Sequence, residues 1–316
     1  MKKYQFLTVA VWLASAAAIV SCNEDRDIDV DVPSHSETEV IFSSNIITMN
    51  THTKASGTTW DPSDAIGVFM YEENDVNIVE NKSNIQYVTE LGGKDGSFKA
   101  ESTVIYFPDN GDKVRFMAYY PYRSDIANDV YEVNVATQSS QPAIDLLYSF
   151  NKDAKYDKTT PDKKVPLVFD HQLTKIYVNV KAGDGLTNDD LQKIKISFAG
   201  LNTEADFNLV SGLLSNQSAP AEIIPKSLLA NETFAASFEA IVIPSVEVPN
   251  AQIVFDLKNG DAGEGIENDI FTWKFNNTLA KSTKYTYNVT VSRSGIVVEA
   301  TINDWIDTED SDIIAE

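Results

Sequence analysis

Tyr285-Thr286-Tyr287-Asn288-Val289-Thr290-Val291 alternates large apolar and polar residues. After the turn at Ser294-Gly295, Ile296-Val297-Val298-Glu299-Ala300-Thr301-Ile302 resumes the same period. A period of two puts Tyr285, Tyr287, Val289 and Val291 on one face of an extended segment, and Ile296, Val298, Ala300 and Ile302 on one face of the next. Two such runs joined by a tight glycine turn pair antiparallel and bury one face.

Other segments carry the same pattern. Ile66-Gly67-Val68-Phe69-Met70-Tyr71 reads as a strand. So does Val114 to Tyr120, with Val114, Phe116 and Ala118 on one side, and Ile176-Tyr177-Val178-Asn179-Val180 behaves alike. Gly, Asn, Asp and Pro interrupt these runs at short intervals. Asn188 to Lys193 is the one helical candidate, a single turn with Asn188 as its cap. The expectation is an all-β chain built from sandwiches. No short fixed repeat is present, which argues against a solenoid or propeller.

The polar stretch Tyr156 to Lys164, with Pro161, marks the expected boundary, and a fresh strand begins at Val165. This predicts an N-terminal sandwich over residues 40–160 and a C-terminal one over 161–316. The acidic end, Asp307 to Glu316, reads as a solvated tail.

The N-terminus reads differently. Lys2 and Lys3 precede an apolar run from Phe6 to Val20, too short and wrongly flanked for a stable membrane span. Ile19-Val20-Ser21-Cys22 then reads as a lipobox, with cleavage between Ser21 and Cys22 and acylation of Cys22, the only cysteine. Several acyl chains on one residue give lasting membrane attachment. Residues 1–21 are thus a lipoprotein signal peptide. Residues 22–39 form an acidic tether with little apolar surface to bury. Acylation occupies the single thiol, so no disulfide can form and the fold depends on core burial, for which 43% apolar residues suffice.

A formal charge of −22 repels nucleic acid. No P-loop, dinucleotide-binding glycine fingerprint, nucleophile elbow or zinc motif occurs, and nothing calls for a cofactor or metal. The stretch Asn259-Gly260-Asp261-Ala262-Gly263-Glu264-Gly265 departs from calcium-loop spacing and reads as a hairpin loop. Carboxylates are too abundant for any pair to mark a glycosidase. His171 lacks companions, since His35 and His52 lie in the tether and a loop, and so reads as structural. Trp60, Trp273 and Trp305 either stack on sugar rings or pack in cores.

Six segments, in order, resemble one family. Thr58-Thr59-Trp60 with Asp64-Ala65-Ile66-Gly67-Val68-Phe69-Met70 is similar to its "W…GDxIGVYM" signature, and Phe116 to Tyr122 resembles "FxAYYPY". Asp145-Leu146-Leu147-Tyr148 resembles "DLLYA", Val168 to Ile176 "FxHxLSKI", and Ala205 to Gly212 "AxFNLxTG". Tyr285 to Trp305 resembles "YTYNVxV…ATIxxW". The family is that of the fimbrillin-like lipoproteins of Bacteroides and Porphyromonas, the type V pilus subunits. Ser63 stands where Gly usually precedes the Asp, and Lys54 where Arg is common. Asn23-Glu24-Asp25 after the cysteine resembles the signal that carries such lipoproteins to the outer face of the outer membrane.

The resemblance implies two tandem transthyretin-like β-sandwiches and a non-enzymatic, lipid-anchored fimbrial subunit or adhesin of the outer membrane. Its partners would be other fimbrial subunits and a host glycan or protein receptor. It also implies assembly by protease-triggered strand exchange. The removable strand expected here is Val40-Ile41-Phe42-Ser43-Ser44-Asn45-Ile46-Ile47, with cleavage between Lys54 and Ala55. The plainer reading is a permanent first strand followed by a loop. Gly295 to Trp305 is the best donor stretch, unless it pairs only within its own sheet. The alternative function is a surface module that binds glycans or host protein without polymerising.

Overall fold

The structure is a computed structural model and describes residues 37–46, 59–74, 76–93, 96–229, 233–246, 250–257, 270–274 and 278–305. The first strands are β1 (Thr38–Glu39), β2 (Ile41–Ile46), β3 (Ala65–Glu72), β4 (Ile85–Thr89), β5 (Gly96–Ala100), β6 (Tyr106–Phe107), β7 (Val114–Tyr120), β8 (Val130–Asn134) and β9 (Leu147–Phe150). Then come β10 (Lys164–His171), β11 (Thr174–Ala182), α1 (Asn188–Leu191), β12 (Lys195–Asn208), β13 (Leu213–Ile223) and β14 (Lys226–Leu228). The last are β15 (Ala236–Val242), β16 (Gln252–Asp256), β17 (Ile270–Lys274), β18 (Thr283–Ser292) and β19 (Gly295–Asp304). The all-β expectation holds. The helical turn is capped by Thr187 through a capping box with Asp190, not by Asn188.

Seven strands close into a ring in the order β10-β2-β5-β4-β3-β7-β9, built mostly from the residues assigned to the first sandwich. Alternation explains its two layers. Ile66, Val68 and Met70 of β3, with Phe116 and Ala118 of β7, point inward and join Phe42, Tyr87, Val165, Leu167 and Phe169 in one core. Phe69, Tyr71, Met117 and Tyr119, on the other face of the same strands, join the larger core shared with the later sheets. Both strands are therefore buried on both faces, which is why they read as continuous apolar runs.

β1 and β6 pair with each other as a two-stranded sheet, and the remaining strands form two five-stranded sheets. One runs β14-β15-β11-β18-β19, the other β13-β12-β16-β17 with β8 also on β12. Ile176, Val178 and Val180 of one meet Ile196, Phe198, Ile253 and Phe255 of the other in that larger core.

The expected boundary at 160/161 does not separate sheets. β10, which follows it, pairs parallel with β2 and completes the ring, while β8, which precedes it, pairs with β12 over Val130–Asn134. Strand periodicity fixes faces but not partners, so a strand that returns across a polar linker is invisible to it.

Candidate functional site

β2 sits between two strands distant in sequence. Its six residues are in parallel register with Lys164–Phe169 of β10, and Phe42, Ser43 and Ser44 lie opposite Phe98, Ser97 and Gly96 of β5. Just before it, the Val40 N–H donates to the Ile105 carbonyl at 3.0 Å. Val40, Phe42, Ser44 and Ile46 are buried, while Ile41 is 49% exposed. Phe42 meets Tyr87 and Phe116 edge-to-face at 4.9 and 5.1 Å. β2 is thus an interior member of the ring and not a rim strand. Of the residues named from the sequence as the removable strand, Ile41, Phe42 and Ile46 lie in β2 and Val40 just before it. Ile47, Lys54, Ala55, Ser21 and Cys22 lie outside the described residues, as do the signal peptide, the tether to residue 36, the loop 259–265 and the acidic tail.

The ring is thin at one seam. The backbone ladder between β10 and β9 covers only Asp170–Tyr148 and His171–Leu147, with the Val168 N–H donating to the Ser149 hydroxyl at 3.0 Å. Beyond that the two strands part around a cavity of about 500 Å³ lined by Phe150, Lys152, Val165, Leu167 and Lys281. β2 therefore supplies most of the backbone pairing that holds β10 in the ring.

The floor under Ser44 is tight. A Cβ on Gly96 would stand 2.6 Å from Trp60 Cδ1 and 2.7 Å from Ser44 Oγ. The Trp60 indole is fixed edge-to-face by Phe98, Tyr120 and Phe169 at 5.1, 5.5 and 5.2 Å. Ser44 Oγ and Trp60 Nε1 are buried without a hydrogen-bond partner among the described residues.

A smaller cavity of about 150 Å³ lies at the end of β2, lined by Ile46, Trp60, Asp64, Tyr120, Asp145 and His171. His171 Nδ1 is 2.9 Å from Asp145 Oδ1, and its ring stacks on Trp305 at 4.0 Å. Asp64 accepts from the Asp61 N–H at 2.7 Å and from the Tyr120 hydroxyl at 3.1 Å. Burial pushes its carboxyl up from the ordinary value, against the pull of those two bonds. This is the wiring of a turn packed on an aromatic wall. Trp60 and Trp305 are 2% and 1% exposed, so they belong to cores and offer no face to a sugar, and Trp273 packs on Tyr287 at 4.8 Å. β19 pairs with β18 along all ten of its residues.

The model of the fimbrillin-like family matches residues 53–305. This chain belongs to the fimbrillin-like family. It is 31% identical over 302 residues to Fim1C, a candidate fimbrium subunit of Bacteroides uniformis, covering 93% of each chain. Among solved structures it is similar to a candidate cell adhesion protein of B. uniformis, at 29% identity and a TM-score of 0.69, over 86% of this chain and 99% of that one. A candidate cell adhesion protein of Bacteroides ovatus, at 23% identity, shares the fold with a TM-score of 0.66 over 87% and 100%. The fimbrillin-like assignment carried by the six sequence segments stands.

Proposed function

We propose that this chain is a fimbrial subunit, made as an outer-membrane lipoprotein through Cys22 and assembled by exchange of β2 for a strand of another subunit. The observation that carries the reading is the place of β2. It fills a slot walled by β5 on one side and β10 on the other, and sends alternate side chains into the core. Removing it would leave backbone donors and acceptors bare on both walls and a void where Phe42 stood. Each large apolar side chain lost from such a place costs about 1.5–3 kcal/mol of burial. An extended strand that bonds both walls and fills alternate pockets restores what was lost. Cleavage between Lys54 and Ala55 separates β2 from β3 without touching either strand. The family membership and the likeness to Fim1C support the fimbrial assignment.

The test is N-terminal sequencing of material sheared from the cell surface, beside Cys22→Ala and Lys54→Ala strains. The reading expects chains that begin at Ala55 and run as detergent-resistant ladders, membrane release with Cys22→Ala, and lost ladders with Lys54→Ala. Sheared protein that begins only at Cys22 and runs as a monomer overturns it.

A further inference from the structure

We infer that Gly96 and Trp60 form a size filter in the β2 slot, and that it admits β19 of a second copy in one register, with Ala300 in the place of Ser44. This rests on the strand-exchange reading and specifies which strand enters and how it is aligned.

The resident strand shows what the slot requires. Its buried positions run Val40, Phe42, Ser44, Ile46: aliphatic, large, small, aliphatic. The small position is enforced. Gly96 has no room for a Cβ of its own beneath Ser44 Oγ and the Trp60 ring, and three aromatic rings hold that indole in place. A branched or long side chain over Gly96 would have to displace a clamped tryptophan.

β19 carries Ile296, Val298, Ala300 and Ile302 on one face, matching those four positions in order with the small residue third. Valine underfills the Phe42 pocket, but no position clashes. The outward residues agree as well: Val297, Glu299 and Thr301 would take the places of Ile41, Ser43 and Asn45. A shift of two residues puts Val298 or Ile302 over Gly96. A shift of one turns Glu299 inward. Only one register passes.

Two other strands have comparable sets, Val114–Phe116–Ala118–Tyr120 in β7 and Ala236–Phe238–Ala240–Val242 in β15. Both are buried at every position inside their sheets. β19 is an edge strand that pairs only with β18 among the described residues. Its patterned face is only half used at home: Ile296 and Val298 pack on the core, while Ala300 is exposed and Ile302 is 54% exposed. An apolar face left half uncovered on a sheet edge is what a donor strand presents. Ala300 would also replace the buried hydroxyl of Ser44, which has no partner among the described residues, with a methyl group.

The register makes a defined cross-link. With Ala300 at the Ser44 position, Glu299 stands where Ser43 stands, opposite Ser97. Full chains in a Cys22→Ala background, one with Ser97→Cys and the other with Glu299→Cys, are mixed, cut with a trypsin-like protease and oxidised. A disulfide-linked dimer is expected. Lys99→Cys, which a two-residue shift would bring opposite Glu299, should give none. Adding Ala300→Leu should cut the yield about tenfold, while Ala300→Ser keeps it. Undiminished linkage with Ala300→Leu, or a link through Lys99→Cys instead, overturns the inference while leaving strand exchange standing. Ladders from the unsubstituted chain without any Ser97–Glu299 link do the same. No ladders at all sink both.

Discussion

The His171 imidazole lies flat on the Trp305 indole, with ring centres 4.0 Å apart and planes 9° from parallel. The two residues come from the end of β10 and the residue just past β19, so the contact ties the ring to the edge of the last sheet. The tie has three further strands of support. His171 Nδ1 meets Asp145 at 2.9 Å, the Ser282 hydroxyl donates to the His171 carbonyl, and the Trp305 backbone N–H donates to the Ser282 carbonyl at 2.9 Å. Trp305→Ala should therefore lower stability by about 3–5 kcal/mol, the usual cost of emptying a buried tryptophan site. Trp305→Phe, which keeps a ring on the imidazole, should lose clearly less. Urea unfolding measures both, and a Trp305→Ala midpoint close to that of the unsubstituted chain would show that the stack carries no load.

Glu239 gives the chain an acid-sensitive pair. Burial alone would push its carboxyl up, but Lys175 at 3.4 Å and Lys226 at 2.9 Å outweigh that and hold it below its ordinary value of 4.5. A lowered folded pKa means that the unfolded chain binds the proton more readily. The stabilisation is thus complete above about pH 4.5 and is lost as pH falls through the folded value. Glu239→Gln should cost about 3–5 kcal/mol at neutral pH, because it leaves the buried Lys175 ammonium facing a neutral amide. It should cost less at pH 3 than at neutral pH, because acid moves the native carboxyl toward its own protonation. Equal penalties at the two pH values would refute the assignment.

Gly67, within the Ile66-Gly67-Val68-Phe69 run, is set by a ring and not by a turn. A Cβ there would stand 2.3 Å from Tyr119 Cε1 and 2.6 Å from Asn84 Oδ1, and the Tyr119 hydroxyl donates to that oxygen at 2.7 Å. Gly67→Ala should lose about 1–3 kcal/mol by overpacking a cross-strand pair that cannot slide apart. Pairing it with Tyr119→Leu, which takes away the phenol that fills the space, should recover part of the loss. Thermal unfolding of the four chains of that cycle reads the coupling directly.

The strands read from the sequence were legible because each is a local pattern. β18 and β19 are the quoted runs, and β3 and β7 are where the apolar stretches lie. Partnerships were not legible. Nothing in Lys164–His171 says that its neighbour is Ile41–Ile46, because parallel pairing between distant segments depends on the whole ring closing. The same limit hid the junction stack, since His171 and Trp305 carry no mutual signal in sequence. The β2 slot was half legible: the alternation of Val40, Phe42 and Ile46 could be read, but the small position at Ser44 acquires meaning only once Gly96 and Trp60 lie under it. The tryptophans illustrate the reverse case. Their chemistry suits a sugar platform, and only burial assigns Trp60 and Trp305 to packing.

Ser44 offers the most discriminating single change in the slot. Its hydroxyl is 5% exposed as a residue and has no partner among the described residues, and a buried polar group left so costs about 1–3 kcal/mol. Ser44→Ala removes the hydroxyl and keeps the Cβ, so it places nothing larger over Gly96. The resident strand should then hold more firmly, with stability raised by about 1 kcal/mol and uncut chains slower to exchange β2. Ser44→Val fills the same place with a branched side chain against a clamped indole, and should destabilise by about 1–3 kcal/mol. The two variants share their loss of a hydroxyl and differ only in bulk, so opposite signs isolate the filter. Amide hydrogen exchange across residues 40–46 supplies the readout: protection should rise in Ser44→Ala and fall in Ser44→Val. A rise in both would mean that the hydroxyl matters and the size limit does not.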